Sequence, residues 1–146
     1  MGQISKQIFF KAPMENVWKV WTDVEKTPEW VDGVKESTVT SATKYGPGLS
    51  WDEKCVFSGK LIDVSHKIVV WEEKKKTVIR TGLPMGGSMQ RIVEFRSAQG
   101  GTEANVQIEW DLGIVASFFS EDQLSDLMDK NFERTGDNWK RKAEGA

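Results

Sequence analysis

Alternation of apolar and polar residues dominates the middle of this chain. Leu49, Trp51, Glu53, Cys55 and Phe57 share one face of a strand predicted over Leu49 to Phe57. Ile62, Val64, His66, Ile68 and Val70 share one face of the next. Ser58-Gly59 supplies a tight turn between them. A two-residue turn pairs Phe57 with Lys60, hence Cys55 with Ile62, Glu53 with Val64 and Trp51 with His66. Directly opposed residues share a face, so the two apolar faces coincide. The agreement recurs further on. Met89, Arg91, Val93 and Phe95 line one face of Ser88 to Ser97. Ala104, Val106, Ile108, Trp110 and Leu112 then alternate with Glu103, Asn105, Gln107, Glu109 and Asp111. A loop over Ala98 to Gly101 sets Arg91 opposite Ile108.

Three more strands complete the set. Ile4 to Phe10 places Ile4, Ile8 and Phe10 together, and Val34 to Thr43 is rich in valine and threonine. Thr77 to Thr81 follows a hairpin at Glu73 to Lys75, and its inward face is not assignable from the pattern. Between the first two strands, Pro13 suits the first turn of a helix over Met14 to Trp21. Asp23 suits the cap of a shorter helical segment ending near Trp30.

The pattern changes period after Phe118. Leu124, Leu127, Met128, Phe132 and Trp139 fall on one face of a helix predicted over Ser120 to Arg141. Ser120 and Gln123 form a capping box, and Phe119 with Leu124 a hydrophobic staple. Glu121 and Asp122 suit the positive end of the helix dipole; Lys140, Arg141 and Lys142 suit the negative end. Asn131 and Thr135 interrupt the apolar face; they must find partners there or face a cavity. Gly136 marks a bend or a close backbone approach.

One strand, two short helices, six strands and one long helix give an α+β fold with a seven-stranded antiparallel sheet. The apolar face of the sheet needs a cover, and only the C-terminal helix is long enough to supply it. The sheet must curl around that helix, an arrangement that readily encloses a cavity.

Composition then narrows the function. The 146 residues suit one domain over 1–146, able to bury roughly 70% of its unfolded surface. The net charge of −2, with signs interspersed, gives no basic face for nucleic acid. Lys74, Lys75 and Lys76 read as a solvated hairpin tip. The single Cys55 excludes an internal disulfide, and with His66 as the sole histidine a Cys/His zinc site is excluded too. The sequence has no signal peptide, no apolar run long enough to span a bilayer, and no myristoylation signal. A cytoplasmic monomer is the expectation. Gly82 to Gly87 lacks phosphate-loop spacing and opens no helix, so no cofactor is expected. The seven tryptophans, Trp18, Trp21, Trp30, Trp51, Trp71, Trp110 and Trp139, either fill a core or line a pocket.

Several stretches carry a family resemblance: KAPMENVWKVWTDVEKTPEWVDGV (11–34), YGPGLSWDEKCVFSG (45–59) and GGTEANVQIEWDL (100–112), followed by the long helix. The most specific points are the Ala-Pro-x-x-x-Val-Trp start, Pro-Glu-Trp and the Gly-Pro-Gly turn. In these the chain resembles the START-like superfamily (SRPBCC), the helix-grip fold of the birch pollen allergen, in its polyketide cyclase/dehydrase and lipid-transport branch. The resemblance spans nearly the whole chain and implies the fold. Its signatures are structural and transfer no catalytic residue.

Glu53, His66 and Arg91 stand out because they are polar on otherwise apolar strand faces. Buried charges are rare unless paired, so Glu53 and Arg91 are expected to form an ion pair. Alternatively they reach solvent, orient a ligand's polar end, or serve it as acid and base. His66 is either a satisfied interior histidine or a functional one. Cys55 reads as a small buried filler. Ile114, Val115, Phe118 and Phe119, with Leu83 and Met85, either cap the core or rim a pocket mouth.

The expected function is binding or transport of a small hydrophobic molecule. Its cavity of about 300 Å³ or more would be lined by Trp51, Val64, Val93, Ile108, Trp110, Met128 and Phe132. Glu53, His66, Arg91, Asn131 and Thr135 would be its polar lining. One alternative is a polyketide cyclase or dehydrase using Glu53, His66 or Arg91. Another is a protein-interaction module, as in the chaperone-ATPase-activator branch, anchored by exposed tryptophans. Convergence of the polar trio in one pocket would favour chemistry, and a lone polar anchor would favour carriage.

Overall fold

The computed structural model describes residues 2–57, 59–118 and 120–145, without the side chains at 115, 116, 118 and 121. The elements are β1 (Gly2–Phe10), α1 (Met14–Thr22), a short 3-10 helix (Val24–Glu29), β2 (Val34–Val39), β3 (Ser50–Phe57), β4 (Lys60–Glu72), β5 (Lys76–Gly82), β6 (Ser88–Ala98), β7 (Gly101–Asp111) and α2 (Glu121–Glu144). Short 3-10 turns at Pro84–Gly86 and Gly113–Phe118 flank β6 and β7 at one end. The sheet runs β1-β7-β6-β5-β4-β3-β2, antiparallel throughout, and forms the expected helix-grip fold with α2.

The registers match the pattern. Trp51 opposes His66, Glu53 opposes Val64 and Arg91 opposes Ile108. β5 turns Thr77, Ile79 and Thr81 inward, and all three are buried. One deviation lies in β4. A bulge between Ile68 and Val70 shifts the alternation, so Trp71, opposite Thr77, takes the inward place expected of Val70.

Ser120 and Gln123 form the capping box at the start of α2, with bonds of 3.1 and 2.8 Å. The expected Phe119 staple and the Ser58 part of the hairpin turn lie outside the described residues, as do the side chains of Val115, Phe118 and Glu121. The helix packs along β1 and α1. Gly136 is the point of close approach: a Cβ there would lie 3.3 Å from Ile8 Cδ1. Leu124, Trp139 and Ala143 are buried on this side. Trp139 meets Phe10 and Trp21 at ring distances of 4.8 and 4.9 Å, with Trp30 and Phe95 completing the cluster.

Two details of the helix differ from the sequence reading. Asn131 and Thr135 lie on the edge facing the loop after the first 3-10 helix. Asn131 Nδ2 donates to the Asp32 carbonyl at 3.2 Å, and Thr135 Oγ1 accepts from Asp32 N–H at 3.0 Å. Arg134 and Asn138 bond to the same loop, through Asp32 and the Trp30 carbonyl. Leu127, expected in the buried stripe, continues this edge towards the N-terminus and is exposed. A helix advances about 100° per residue, which carries Leu127 more than a quarter-turn away from Trp139 and Ala143.

Candidate functional site

Two cross-strand rows define the inner face beside the helix. The first runs Trp51, His66, Thr81, Met89, Trp110, Gly2 across six strands. The second runs Ile68, Ile79, Arg91, Ile108, Ile4 across five. The polar residues of the inner face meet where these rows adjoin. Glu53 and His66 are buried, and Arg91 is partly buried.

Glu53 is bonded through both oxygens. Oε1 accepts from His66 Nε2 at 2.7 Å; Oε2 accepts from Thr27 Oγ1 at 2.6 Å and Trp51 Nε1 at 3.0 Å. On the other side of the imidazole, Nδ1 lies 2.6 Å from Thr81 Oγ1 and 3.2 Å from Arg91 Nη2. A guanidinium only donates, so Nδ1 is the acceptor and the ring proton sits on Nε2, facing the carboxylate. His66 is therefore neutral in this geometry.

The electrostatics agree. Burial pulls the His66 pKa down, and the Arg91 cation adds to this; the Glu53 hydrogen bond opposes both without reversing them. Burial alone would raise Glu53, but its bonds from His66 and Thr27 and the cation of Arg91 hold it below the ordinary carboxylate range. Burial lowers Arg91, although guanidinium stays charged at any physiological pH. Burial and the Glu53 charge push the Cys55 thiol up to about 12, which leaves it an inert, protonated filler.

The direct Glu53–Arg91 ion pair expected from the pattern is replaced by a bridge through His66. Strand spacing explains the change. Three intervals of about 4.8 Å put β3 and β6 roughly 14 Å apart along the sheet, beyond the joint reach of the two side chains. Thr27 and Thr81 complete the network and were not foreseen. Thr27 enters from the first 3-10 helix, and the unassigned face of β5 hid Thr81.

The remaining expected lining residues divide. Val64, Val93, Ile108 and Trp110 are buried on the inner face, with Trp51 beside the His66 ring at 5.0 Å. Met128 and Phe132 are partly buried and pack against the core from the helix. Asn131 and Thr135 direct their polar atoms to Asp32 instead. Trp18, Trp21, Trp30, Trp51, Trp110 and Trp139 are all buried and Trp71 is half-buried, so the exposed tryptophans of an interaction module are not there.

Burial is uneven along the inner face. Phe10, Val93, Phe95 and Ala104 are closed off, whereas Ile4, Met89, Arg91, Met128 and Phe132 keep part of their surface open. At that open end the Gly113 turn meets the Pro84–Gly86 turn: a Cβ on Gly113 would lie 3.2 Å from the Met85 carbonyl. Met85 and Ile114 are exposed there. Two hollows are lined by described residues: one of about 500 Å³ whose lining includes His66 and Thr81 together with Thr40, Lys67 and Arg80, the other of about 360 Å³ beside Trp18 and Tyr45. No described helix is long and apolar enough to cross a membrane.

Solved structures share this architecture at low identity. A START superfamily protein from Mycobacterium smegmatis matches with a TM-score of 0.80 at 15% identity, over 98% of this chain and 97% of that one. Ara h 8.0201 matches at 0.75 and 16%, over 99% of both chains. The Zhui aromatase/cyclase from Streptomyces sp. R1128 matches at 0.73 and 13%, over 99% of this chain and 92% of that one. A search among curated proteins found no match. The sequence itself matches one family description over residues 1–144, and the chain belongs to that family, polyketide cyclase/dehydrase and lipid transport.

Proposed function

We propose that the protein binds and carries a small hydrophobic molecule between the inner face of the sheet and the N-terminal half of α2. The observation that carries this reading is the uneven burial of the inner face. Around Arg91 the inward apolar side chains of Ile4, Met89, Met128 and Phe132 stay partly uncovered. Apolar walls with a few polar groups suit ligands of this class. Membership of a family described by both cyclase/dehydrase and lipid-transport members supports it.

The second reading is catalysis of the cyclase or dehydrase type, and the convergence of Glu53, His66 and Arg91 favours it. A carboxylate, an imidazole and a guanidinium in one line are acid–base material. Their hydrogen bonds argue for binding instead. Both Glu53 oxygens and both His66 nitrogens are engaged within the protein, which leaves no base facing a substrate.

Native mass spectrometry on protein purified from its own host tests the first reading. A co-purifying hydrophobic small molecule is the expected result. Consistently empty protein that also fails to bind a neutral hydrophobic dye would sink it.

A further inference from the structure

Arg91 is the one charge in a row of isoleucines. Ile79 and Ile108 oppose it directly, and Ile68 and Ile4 extend the row on either side. The Trp21 ring lies 5.8 Å from its guanidinium carbon, a contact that favours the cation but accepts no conventional hydrogen bond. Among the described residues the guanidinium donates one hydrogen bond, to the neutral His66 ring. Its Nε–H is buried and has no partner. The nearest carboxylate, Glu53, is already bonded to Thr27, Trp51 and His66, and the imidazole stands between it and the cation.

A buried N–H without an acceptor is costly, and on a cation more so. Among the described residues this is the buried polar atom of the network that lacks a partner, and the Arg91 side chain as a whole lies on the partly uncovered part of the inner face. We infer that the hydrophobic ligand carries an acidic head, a carboxylate, which docks on the Nε–H of Arg91 while its apolar body lies along Ile4, Ile108, Met128 and Phe132. The inference rests on the hydrophobic-ligand reading above and names the class of ligand. Guanidinium matches carboxylate in both charge and planar geometry. The Glu53–His66 pair then acts as a positioning group. It fixes Nη2 of Arg91 through the imidazole.

Displacement of Nile red, a neutral dye, by dodecanoate, methyl dodecanoate and dodecanol separates the two readings. Dodecanoate is expected to displace the dye at roughly tenfold to a hundredfold lower concentration than its ester or alcohol, the range of a charged hydrogen bond. Arg91→Gln should abolish that preference while leaving displacement by the ester unchanged. Equal displacement by all three compounds overturns the acidic head and leaves hydrophobic binding standing. A preference that survives Arg91→Gln also overturns it. Failure of Nile red and all three compounds to bind overturns both readings. If Arg91→Gln does not fold, Arg91→Lys keeps a charge but removes the Nε–H. An undiminished preference in that variant overturns the inference.

Discussion

His66 Nε2 donates to Glu53 Oε1 over 2.7 Å, and both side chains are buried. Glu53 is thereby the acceptor for nitrogen or oxygen donors drawn from three elements, Thr27, Trp51 and His66, and for the weaker Cys55 thiol at 3.9 Å. Glu53→Gln would turn an amide NH₂ towards at least one of these donors and remove the only negative charge bonded into the network. The expected loss is on the order of 3 kcal/mol, as for breaking a buried pair. Urea unfolding measures it. Unchanged stability together with loss of turnover of some substrate would replace the carrier reading with the enzyme reading.

The loop at Asp32 offers a test in which two similar-looking bonds differ in worth. Asp32→Ala removes an ion pair to Arg134, whose side chain is 59% exposed, and a long 3.3 Å bond from Asn131 Nδ2 to the same carboxylate. Such a pair contributes less than about 1 kcal/mol, and the backbone bonds of Asp32 to Asn131 and Thr135 survive the change. Thr135→Val instead leaves the partly buried Asp32 N–H without its acceptor, at about 1–3 kcal/mol. Thr135→Val should therefore be the more destabilising in thermal melts. The reverse order would show that the Asp32 carboxylate holds the loop.

Much of this was legible in the sequence where two alternating patterns had to agree. The pairings of β3 with β4 and of β6 with β7 followed from a short turn plus coincident faces, and they carried Glu53, His66 and Arg91 to the inner surface. The rest depended on three-dimensional distance. Nothing in the spacing of Glu53 and Arg91 reveals that two strands lie between theirs, so an ion pair was expected where an imidazole bridge stands. β5 was opaque because Val78 is buried as well as Thr77, Ile79 and Thr81, which leaves no clean polar face to read. The β4 bulge was opaque because Ile68, Val69, Val70 and Trp71 are all apolar, and a one-residue slip leaves no mark in such a run. The Trp51–Glu53 bond was accessible in principle, since residues two apart on a strand share a face.

Gly2 and Trp110 are opposed at the sheet edge, and the indole occupies the space beside the glycine. A Cβ on Gly2 would lie 2.2 Å from Trp110 Cε2, so Gly2→Ala must displace the ring. Overpacking of this kind costs about 1–3 kcal/mol. The near-UV circular dichroism of the indole should change, and Nile red binding should weaken if Trp110 lines the ligand space. An unaltered spectrum and an unaltered melting temperature would show that the edge of β1 yields instead.

The final prediction uses the single imidazole as a probe. His66 is the sole histidine, so no other side chain has an ordinary pKa between about 5 and 8. Its folded pKa is lowered from the usual 6.5, by burial first and by Arg91 next, while Glu53 acts in the opposite direction. The unfolded chain therefore binds a proton below pH 6.5 that the folded protein still refuses, and stability falls as the pH drops from there. Glu53 adds to the fall at lower pH, because its folded pKa lies below the usual 4.5; its contribution is present above that value and is lost as the pH drops through the folded pKa. Both signs are the same, so acid destabilises throughout. A proton NMR titration of the imidazole should give a midpoint below 6.5. Arg91→Gln should move it up by removing the cation, and Glu53→Gln should move it further down by removing the carboxylate. A wild-type midpoint at or above 6.5 would mean that the Glu53 carboxylate outweighs burial and Arg91, and variant shifts of the opposite sign would mean that these charges do not act on the imidazole as derived.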